Sequence, residues 1–197
     1  MKPEFREAAS QKELHALFNL RRDVYSKAES LKTMVHGIDI TGFDLNALHF
    51  GAFDGLVPIG YMRMVGQKET RFAPWIKNIA ADEIIDIPNK ISFPFELYCP
   101  HKNWNLDFLN DLQGKKIGEA GKLAIHKDYR NGSMLEDFIK AFVTYCKEGQ
   151  KFDSGFGICT FALERYYKKL GFYRAPGALP FIHKDLPEAV MLRFDRE

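Results

Sequence analysis

Two short stretches of the chain hold residue types whose spacing could carry chemistry. Residues 119–135 read Glu-Ala-Gly-Lys-Leu-Ala-Ile-His-Lys-Asp-Tyr-Arg-Asn-Gly-Ser-Met-Leu, a pattern of strand, short turn and helix. A helix N-terminus offers unpaired N–H groups and a partial positive charge, which suits a pyrophosphate. Gly132 would let the backbone approach such phosphates, Ser133 could cap the helix or donate to them, and Arg130 adds fixed charge. An ordinary strand-to-helix turn with a capping serine fits the same residues, and one glycine does not decide between the two. The second stretch is Tyr167-Lys-Lys-Leu-Gly-Phe172. Its tyrosine could give a proton to a leaving thiolate, whose pKa is close enough for useful transfer. It also fits a plain helix end, with apolar Leu170, a capping glycine and an aromatic that re-enters a sheet.

Elements must position these groups. Residues 5–8 suit a short strand, and Ser10-Gln-Lys-Glu13 is a capping-box pattern ahead of Leu14, Leu17, Phe18, Val24 and Tyr25 at helical spacing. A loop is expected over 36–42. Residues 46–53 and 57–65 then flank Asp54-Gly55, a hairpin signal in which both turn positions want positive φ. Residues 66–116 are irregular, broken by Pro74, Pro88, Pro94 and Pro100, with short helices expected at 80–85 and 106–112. Fifty loosely organised residues suit a substrate-covering insertion, or equally an inert surface excursion. Residues 118–126 read as a strand and 128–132 as a turn. Leu135, Phe138, Ile139, Phe142, Val143 and Cys146 then form a helical stripe. Residues 155–161 are strand-like, 162–170 helical with Gly171 as cap, and 190–194 a last strand.

Composition narrows the classes. With 46% hydrophobic and 27% charged residues the chain is ordinary globular material, which argues against disorder. A net charge of +2 gives no general reason to bind nucleic acid or an anionic membrane. The segment MKPEFREAAS holds no apolar core, and no stretch approaches a membrane span, so a cytoplasmic protein without integral membrane contact is expected. Cys99, Cys146 and Cys159 form no CxxC pair and read as reduced core thiols. The histidines lack metal-ligand spacing, so no metal is expected. Phenylalanine is plentiful at 17 residues, which suits an aromatic core or an apolar ligand tunnel. Gly155-Phe-Gly157 lies within a strand and no full GxGxxG follows, so a dinucleotide fold is set aside. Its glycines fit a close backbone approach where neighbouring strands splay.

Strand–turn–helix, followed by strand–helix–Leu-Gly-Phe at this separation, resembles the GNAT acyltransferase superfamily. The likeness is to its acyl-CoA pyrophosphate loop and to its helix bearing a general-acid tyrosine. Glu119-x-x-Lys122-Leu-Ala-Ile is similar to the Glu-x-Ser-Arg-Leu/Phe-Ala-Val strand of acyl-homoserine-lactone synthases and long-chain N-acyl amino acid synthases. Arg21-x-x-x-Tyr25 resembles their Arg-x-x-x-Phe, and Gly60-x-x-Arg63 their shared Gly-x-x-Arg. Asp44-x-x-Ala-x-His49 resembles the Asp-x-x-x-x-His of the amino acid synthases. The motifs keep their order from residue 21 to residue 172.

This resemblance implies an α/β (α+β) three-layer fold, with a mixed, mostly antiparallel twisted sheet flanked by helices. One domain would span 1–197, with the insertion at about 66–116. It implies an N-acyltransferase that moves a medium or long acyl chain to the amine of an amino acid or related small molecule. The donor would be a pantetheine thioester, on acyl-CoA or on acyl carrier protein. Glu119 would act as base, directly or through a water, and Tyr167 would protonate the departing thiol. Backbone groups of Leu123, Ala124 and Ile125 would pair with the pantetheine arm like an added strand, one N–H facing the oxyanion. Arg130, Asn131, Gly132, Ser133 and Met134 would hold the pyrophosphate. Arg21, Asp44, Arg63 and Lys122 would shape the acceptor side, although Arg21, Asp44 and Arg63 equally suit surface ion pairs of small worth. Arg21, Arg22, Lys127 and Arg130 favour an acidic carrier protein as partner. Phe72, Phe93, Phe95 and Phe108 favour a long acyl chain.

The chain departs from the family pattern in several places. In Arg130-Asn-Gly-Ser-Met-Leu135 the first glycine of the usual loop is shifted and the second is missing. Gly121 and Lys122 stand where the synthases show Ser-Arg, Thr41 replaces an acid, and the tryptophan expected after the first helix is absent. Lactone synthesis is therefore the less favoured branch. An ordinary N-acetyltransferase using acetyl-CoA and a non-catalytic acyl-binding module are the competing readings.

Overall fold

The computed structural model describes residues 2–26, 40–66, 93–95, 107–130, 133–183 and 186–196. The described strands are β1 (Glu4–Glu7), β2 (Ala47–Asp54), β3 (Val57–Gly66), β4 (Ile117–Ile125), β5 (Ser154–Thr160), β6 (Tyr173–Arg174), β7 (Phe181–His183) and β8 (Leu186–Asp195). They form one sheet in the order β1-β2-β3-β4-β5-β8-β6, with β7 also on β8. Every pairing is antiparallel except β4 with β5. Helices α2 (Met134–Glu148) and α3 (Phe161–Lys169) cover one face, and α1 (Gln11–Tyr25) covers part of the other. This is the three-layer arrangement the sequence implies.

Apolar periodicity explains the layering. In α2 the stripe Phe138, Ile139, Phe142, Val143 and Cys146 is buried against Leu48, Phe50, Met62, Met64 and Ala120 of the sheet. In α1, Leu14, Leu17 and Phe18 pack on Phe53, Tyr61 and Ala124 of the opposite face. The α1 start is capped as its motif predicts: Ser10 Oγ accepts the Glu13 N–H at 3.2 Å. The Glu13 carboxylate accepts the Ala9 N–H at 2.8 Å, one residue before the serine, and grips Arg6 with both oxygens.

Some boundaries differ from the sequence expectation. Asp54 pairs with Val57, so the hairpin loop is Gly55-Leu56, and of these only Gly55 takes a positive φ, +61°. The aspartate ends β2 instead of sharing the turn. Residues 107–112 form a 3-10 helix, while 80–85 lie outside the described residues. The turn after β4 opens with a 3-10 helix at Lys127–Tyr129. Strands β6 and β7, too short to show alternation, had no signal in the sequence.

Two irregularities shape the second half of β4. Arg63 pairs with Gly121 and Tyr61 with Ala124, so Lys122 and Leu123 together oppose Met62 in a β-bulge. Lys122 takes φ +56°, the left-handed region that a lysine rarely adopts. The extra residue reverses which side chains face which layer: Ala120 packs on the α2 side, but Ala124 packs on the α1 side. Beyond the fourth pair with β5, Ala120 with Gly157, the two strands part. Gly157 is needed there, since a Cβ would sit 2.8 Å from the Ala120 carbonyl oxygen. The expected close approach at a splay is met at this glycine.

Candidate active site

The parting of β4 from β5 leaves part of the β4 backbone without a ladder. His126 donates to the Ile59 carbonyl on the β3 side, so by strand alternation Ala124 also spends its backbone groups on β3. Leu123 and Ile125 point to the other edge, where β5 has left. Both of their carbonyls are engaged by side chains: Tyr25 donates its hydroxyl to Leu123 at 3.0 Å, and Arg130 Nε donates to Ile125 at 3.0 Å. Of the three residues expected to pair with a pantetheine arm, Ala124 therefore faces away.

Tyr167 of α3 is buried in the core between the helices and the sheet, its ring edge-on to Phe172 at 5.2 Å. Its hydroxyl makes no hydrogen bond among the described residues. Burial, then nearby Cys159 and Tyr25, push its pKa above the usual tyrosine value, so the phenol keeps its proton. Burial also pushes the Cys159 thiol up to about 12, with Glu164 adding to the effect. The thiol is inert as a nucleophile at neutral pH.

The loop expected to hold phosphates is only partly described. Asn131 and Gly132 lie outside the described residues. Ser133 does not cap a backbone N–H: it sits in the αR region and donates to Asp137 at 2.6 Å. Met134 buries its side chain in the core, leaving only its backbone for a ligand. Arg130 is exposed and anchored through Nε.

On the other face of the sheet, charge is buried. Arg21 of α1 is fully buried, and Asp44, in a 3-10 helix at Gly42–Asn46, receives it with both oxygens at 2.9 and 3.3 Å. Arg63 of β3 donates Nη1 to the same carboxylate at 2.7 Å. Thr41 closes the 3-10 turn by donating its backbone N–H and hydroxyl to Asp44. Tyr61 accepts from Arg21 at 2.9 Å and lies 3.0 Å from His49 Nδ1, while His49 Nε2 meets the Asp44 carbonyl at 2.9 Å. Burial alone would raise the Asp44 pKa, but the two guanidinium charges reverse this and hold it well below the carboxylate range. So committed a carboxylate is a poor base. Burial lowers His49 to about 4 against the pull of Asp44, so it is neutral near pH 7.

Arg21, Asp44 and Arg63, which the sequence links only by motif order, thus form one buried cluster. This corrects their reading as surface ion pairs, and it removes Arg21 from any surface offered to a carrier protein. Tyr61 belongs to no motif in the sequence, although it stands two residues before Arg63 on the same face of β3. Tyr25 bonds a carbonyl 98 residues away, and no local pattern announces that.

Glu119 lies on β4 two residues before Gly121, facing the same side as Val65 and Phe156, its partners in register. It is 6% exposed and accepts the Phe95 N–H at 3.0 Å, which ties the insertion to β4. Phe93 and Phe95 meet Phe156 edge-on at 5.1 and 5.3 Å, as packed core rings. Phe72 and the Phe108 side chain lie outside the described residues. Lys122 places Nζ 5.3 Å from the centre of the Tyr25 ring. Among the described residues, a Cβ built on Gly121 meets no atom within 4 Å, so none of them fills the space beside Arg63 and Glu119.

A sheet whose middle strands pair, bulge and part, with a tyrosine-bearing helix after the second of them, defines an acyltransferase of the GNAT type. In agreement, residues 20–140 match the model of the acetyltransferase (GNAT) domain, and the chain belongs to that family. It is by that membership an N-acyltransferase. Among solved structures it is similar to FeeM, an N-acyl amino acid synthase from uncultured soil microbes, at 16% identity and TM-score 0.57, over 98% of this chain and 91% of that one. It is also similar to BjaI, a CoA-dependent acyl-homoserine lactone synthase, at 16% identity and TM-score 0.67, over 100% and 84%. ElaA of Escherichia coli is similar at 12% identity and TM-score 0.58, over 98% and 99%. At these identities the likenesses concern the fold. No curated protein matches the chain in sequence.

Proposed function

We propose that the protein, as one domain over 1–197 with an insertion at about 66–116, acylates the amine of an amino acid or related small molecule. The acyl group, of medium or long chain, comes from acyl-CoA or acyl carrier protein. The observation that carries this reading is the two-sidedness of β4. Glu119 belongs to the α1 side of the sheet, Tyr167 to the α2–α3 side, and the strand gap lies between them.

A thioester seated in that gap is attacked from one side and loses its thiolate on the other. Glu119 takes a proton from the ammonium group, directly or through a water, because only the free amine attacks. The new N–C bond forms as the carbonyl becomes an oxyanion, and the Leu123 N–H on the open edge is aimed to receive that charge. The C–S bond then breaks, the nitrogen gives up its second proton to solvent to leave the neutral amide, and Tyr167 supplies the thiolate with its proton and regains one from solvent. Arg130 and the first turn of α2 would hold the donor's phosphates. Exposed Lys127 and Arg130, with half-buried Arg22, would meet an acidic carrier protein. No described helix is long and apolar enough to cross a membrane, and we place the reaction in the cytoplasm.

A second reading is transfer of acetyl from acetyl-CoA. The packing of Phe93 and Phe95 on Phe156 favours it, because a long chain must part those rings. Mass spectrometry of lipid extracts from overexpressing cells separates the two. Long-chain N-acyl amino acids should appear with the native protein and vanish with Glu119→Gln plus Tyr167→Phe. Extracts unchanged by overexpression, alongside turnover of acetyl-CoA, would give the second reading the field. Tryptophan at Phe93 or Phe95 should shorten the preferred chain.

A further inference from the structure

Resting on the acyl-transfer reading, we infer that Arg63 recognises a carboxylate on the acceptor, next to the amine that Glu119 deprotonates. Arg63 is 3% exposed, yet among the described residues it hydrogen-bonds only through Nη1, to Asp44 at 2.7 Å and Thr41 at 3.4 Å. Its Nε is buried without a partner there. A guanidinium offers five N–H donors, and the parallel pair on its Nε side matches a carboxylate in bidentate fashion. Asp44 does not use that edge. A buried unpartnered donor of this kind costs free energy, which a ligand oxygen would relieve.

The charges agree. Two guanidinium groups share one carboxylate, Asp44, and the neighbouring His49 and Tyr61 are neutral. One carboxylate between two guanidinium groups leaves the Arg63 edge turned from Asp44 electropositive, which suits an anionic ligand oxygen. Glu119, the nearest acid on the adjoining strand, is bonded by the Phe95 N–H.

The spacing agrees as well. Arg63 pairs with Gly121 and Val65 with Glu119, so Arg63 and Glu119 are diagonal neighbours on one face. Such neighbours stand roughly 7–8 Å apart, and their side chains can converge on a ligand between them. None of the described residues fills the position beside Gly121. An α-amino acid fits the pair, its carboxylate on Arg63 and its amine toward Glu119. An amine lacking the carboxylate leaves the Nε edge unfilled.

The test compares free amino acids with their carboxamides. Donors are acetyl, octanoyl and palmitoyl thioesters of CoA and of an acyl carrier protein, and N-acylated product is counted by mass spectrometry. The native protein should favour the carboxylate acceptors by roughly a hundredfold in kcat/KM, mainly through KM. Arg63→Lys keeps the charge but loses the fork and should cut that preference to about tenfold or less. Arg63→Gln should bring it near one. Because Arg63 also braces Asp44, the carboxamide rate is the internal control. A purely structural role would lower both acceptors alike and leave the ratio intact. Equal use of both acceptors by the native protein, or a ratio that survives in both variants, overturns the assignment. Acylation of simple amines with no regard for the carboxylate would sink this inference alone. Failure to acylate any amine would sink the acyl-transfer reading and this inference together.

Discussion

On the α1 side of β3 and β4 the chain buries two guanidinium groups, a carboxylate, an imidazole and a phenol in mutual hydrogen-bonding contact. Where β4 leaves β5 it buries another phenol and a thiol, both neutral. The first region fixes shape. Each member is held by at least one other, so none is available to exchange protons, and Asp44 is ionised beyond use as a base. The second region is suited to proton delivery, because burial keeps the phenolic proton in place until a thiolate, made more basic by the same low polarity, forms beside it. Low polarity therefore has opposite consequences: it makes charges cling together in one region and keeps a neutral acid loaded in the other.

That contrast is broken most severely at Asp44. Replacing it with asparagine removes the buried carboxylate that Arg21 and Arg63 share, and about 3–5 kcal/mol of stability should be lost. Urea denaturation measures it, and a loss below about 1 kcal/mol would mean the cluster is not the brace described. Tyr167→Phe should do the reverse. Its hydroxyl has no hydrogen bond among the described residues, so the denaturation midpoint should barely move while kcat falls roughly a hundredfold to ten-thousandfold. Retained kcat would remove Tyr167 as the acid. Since its pKa is raised, no descending limb of activity attributable to it should appear below about pH 10.

The two regions were not equally legible in the sequence. The α2 stripe and the hairpin strands were open to reading because periodic burial reports itself through spacing. The brace was half legible. Arg21 continues the Leu14, Leu17, Phe18 stripe at helical spacing, a charged residue in an apolar row and so a sign of buried pairing. Its partners were recognised by motif order, but contact among residues 21, 44 and 63 depends on sheet register. The bulge at Lys122 had no signal, since lysine has no preference for positive φ and the bulge follows from how β3 and β4 pair. Ser133 does not cap α2 because Asp137, one turn on, competes for its hydroxyl and accepts its hydrogen bond. The long-chain reading of the phenylalanines concerns space between rings, which composition does not reveal.

Acid should reach the brace before it reaches the gap. His49 titrates near 4 when folded and near 6.5 when unfolded, so between those values the unfolded chain binds a proton the folded chain refuses. Stability is then complete above about pH 6.5 and falls as pH drops, by up to about 3 kcal/mol at pH 4. Asp44 acts in the same direction, but only below its ordinary pKa of 3.8. Denaturation at pH 7.5, 6, 5 and 4.5 should show this slope, and His49→Gln should flatten it. An equal slope in the variant would place the acid sensitivity elsewhere.

The smallest effects sharpen the comparison furthest, because two glycines on paired strands should behave oppositely. A methyl at Gly157 would lie 2.8 Å from the Ala120 carbonyl oxygen, a backbone atom that cannot rotate away. Gly157→Ala should cost about 1–3 kcal/mol and lower kcat by disturbing the point where the strands part. A methyl at Gly121 meets nothing within 4 Å among the described residues, so Gly121→Ala should change stability by no more than about 0.5 kcal/mol. If the space beside Gly121 receives the acceptor, that silent substitution should still raise the acceptor KM several-fold while leaving the donor KM alone. A change in donor KM instead would move the acceptor away from Arg63 and put the donor in its place.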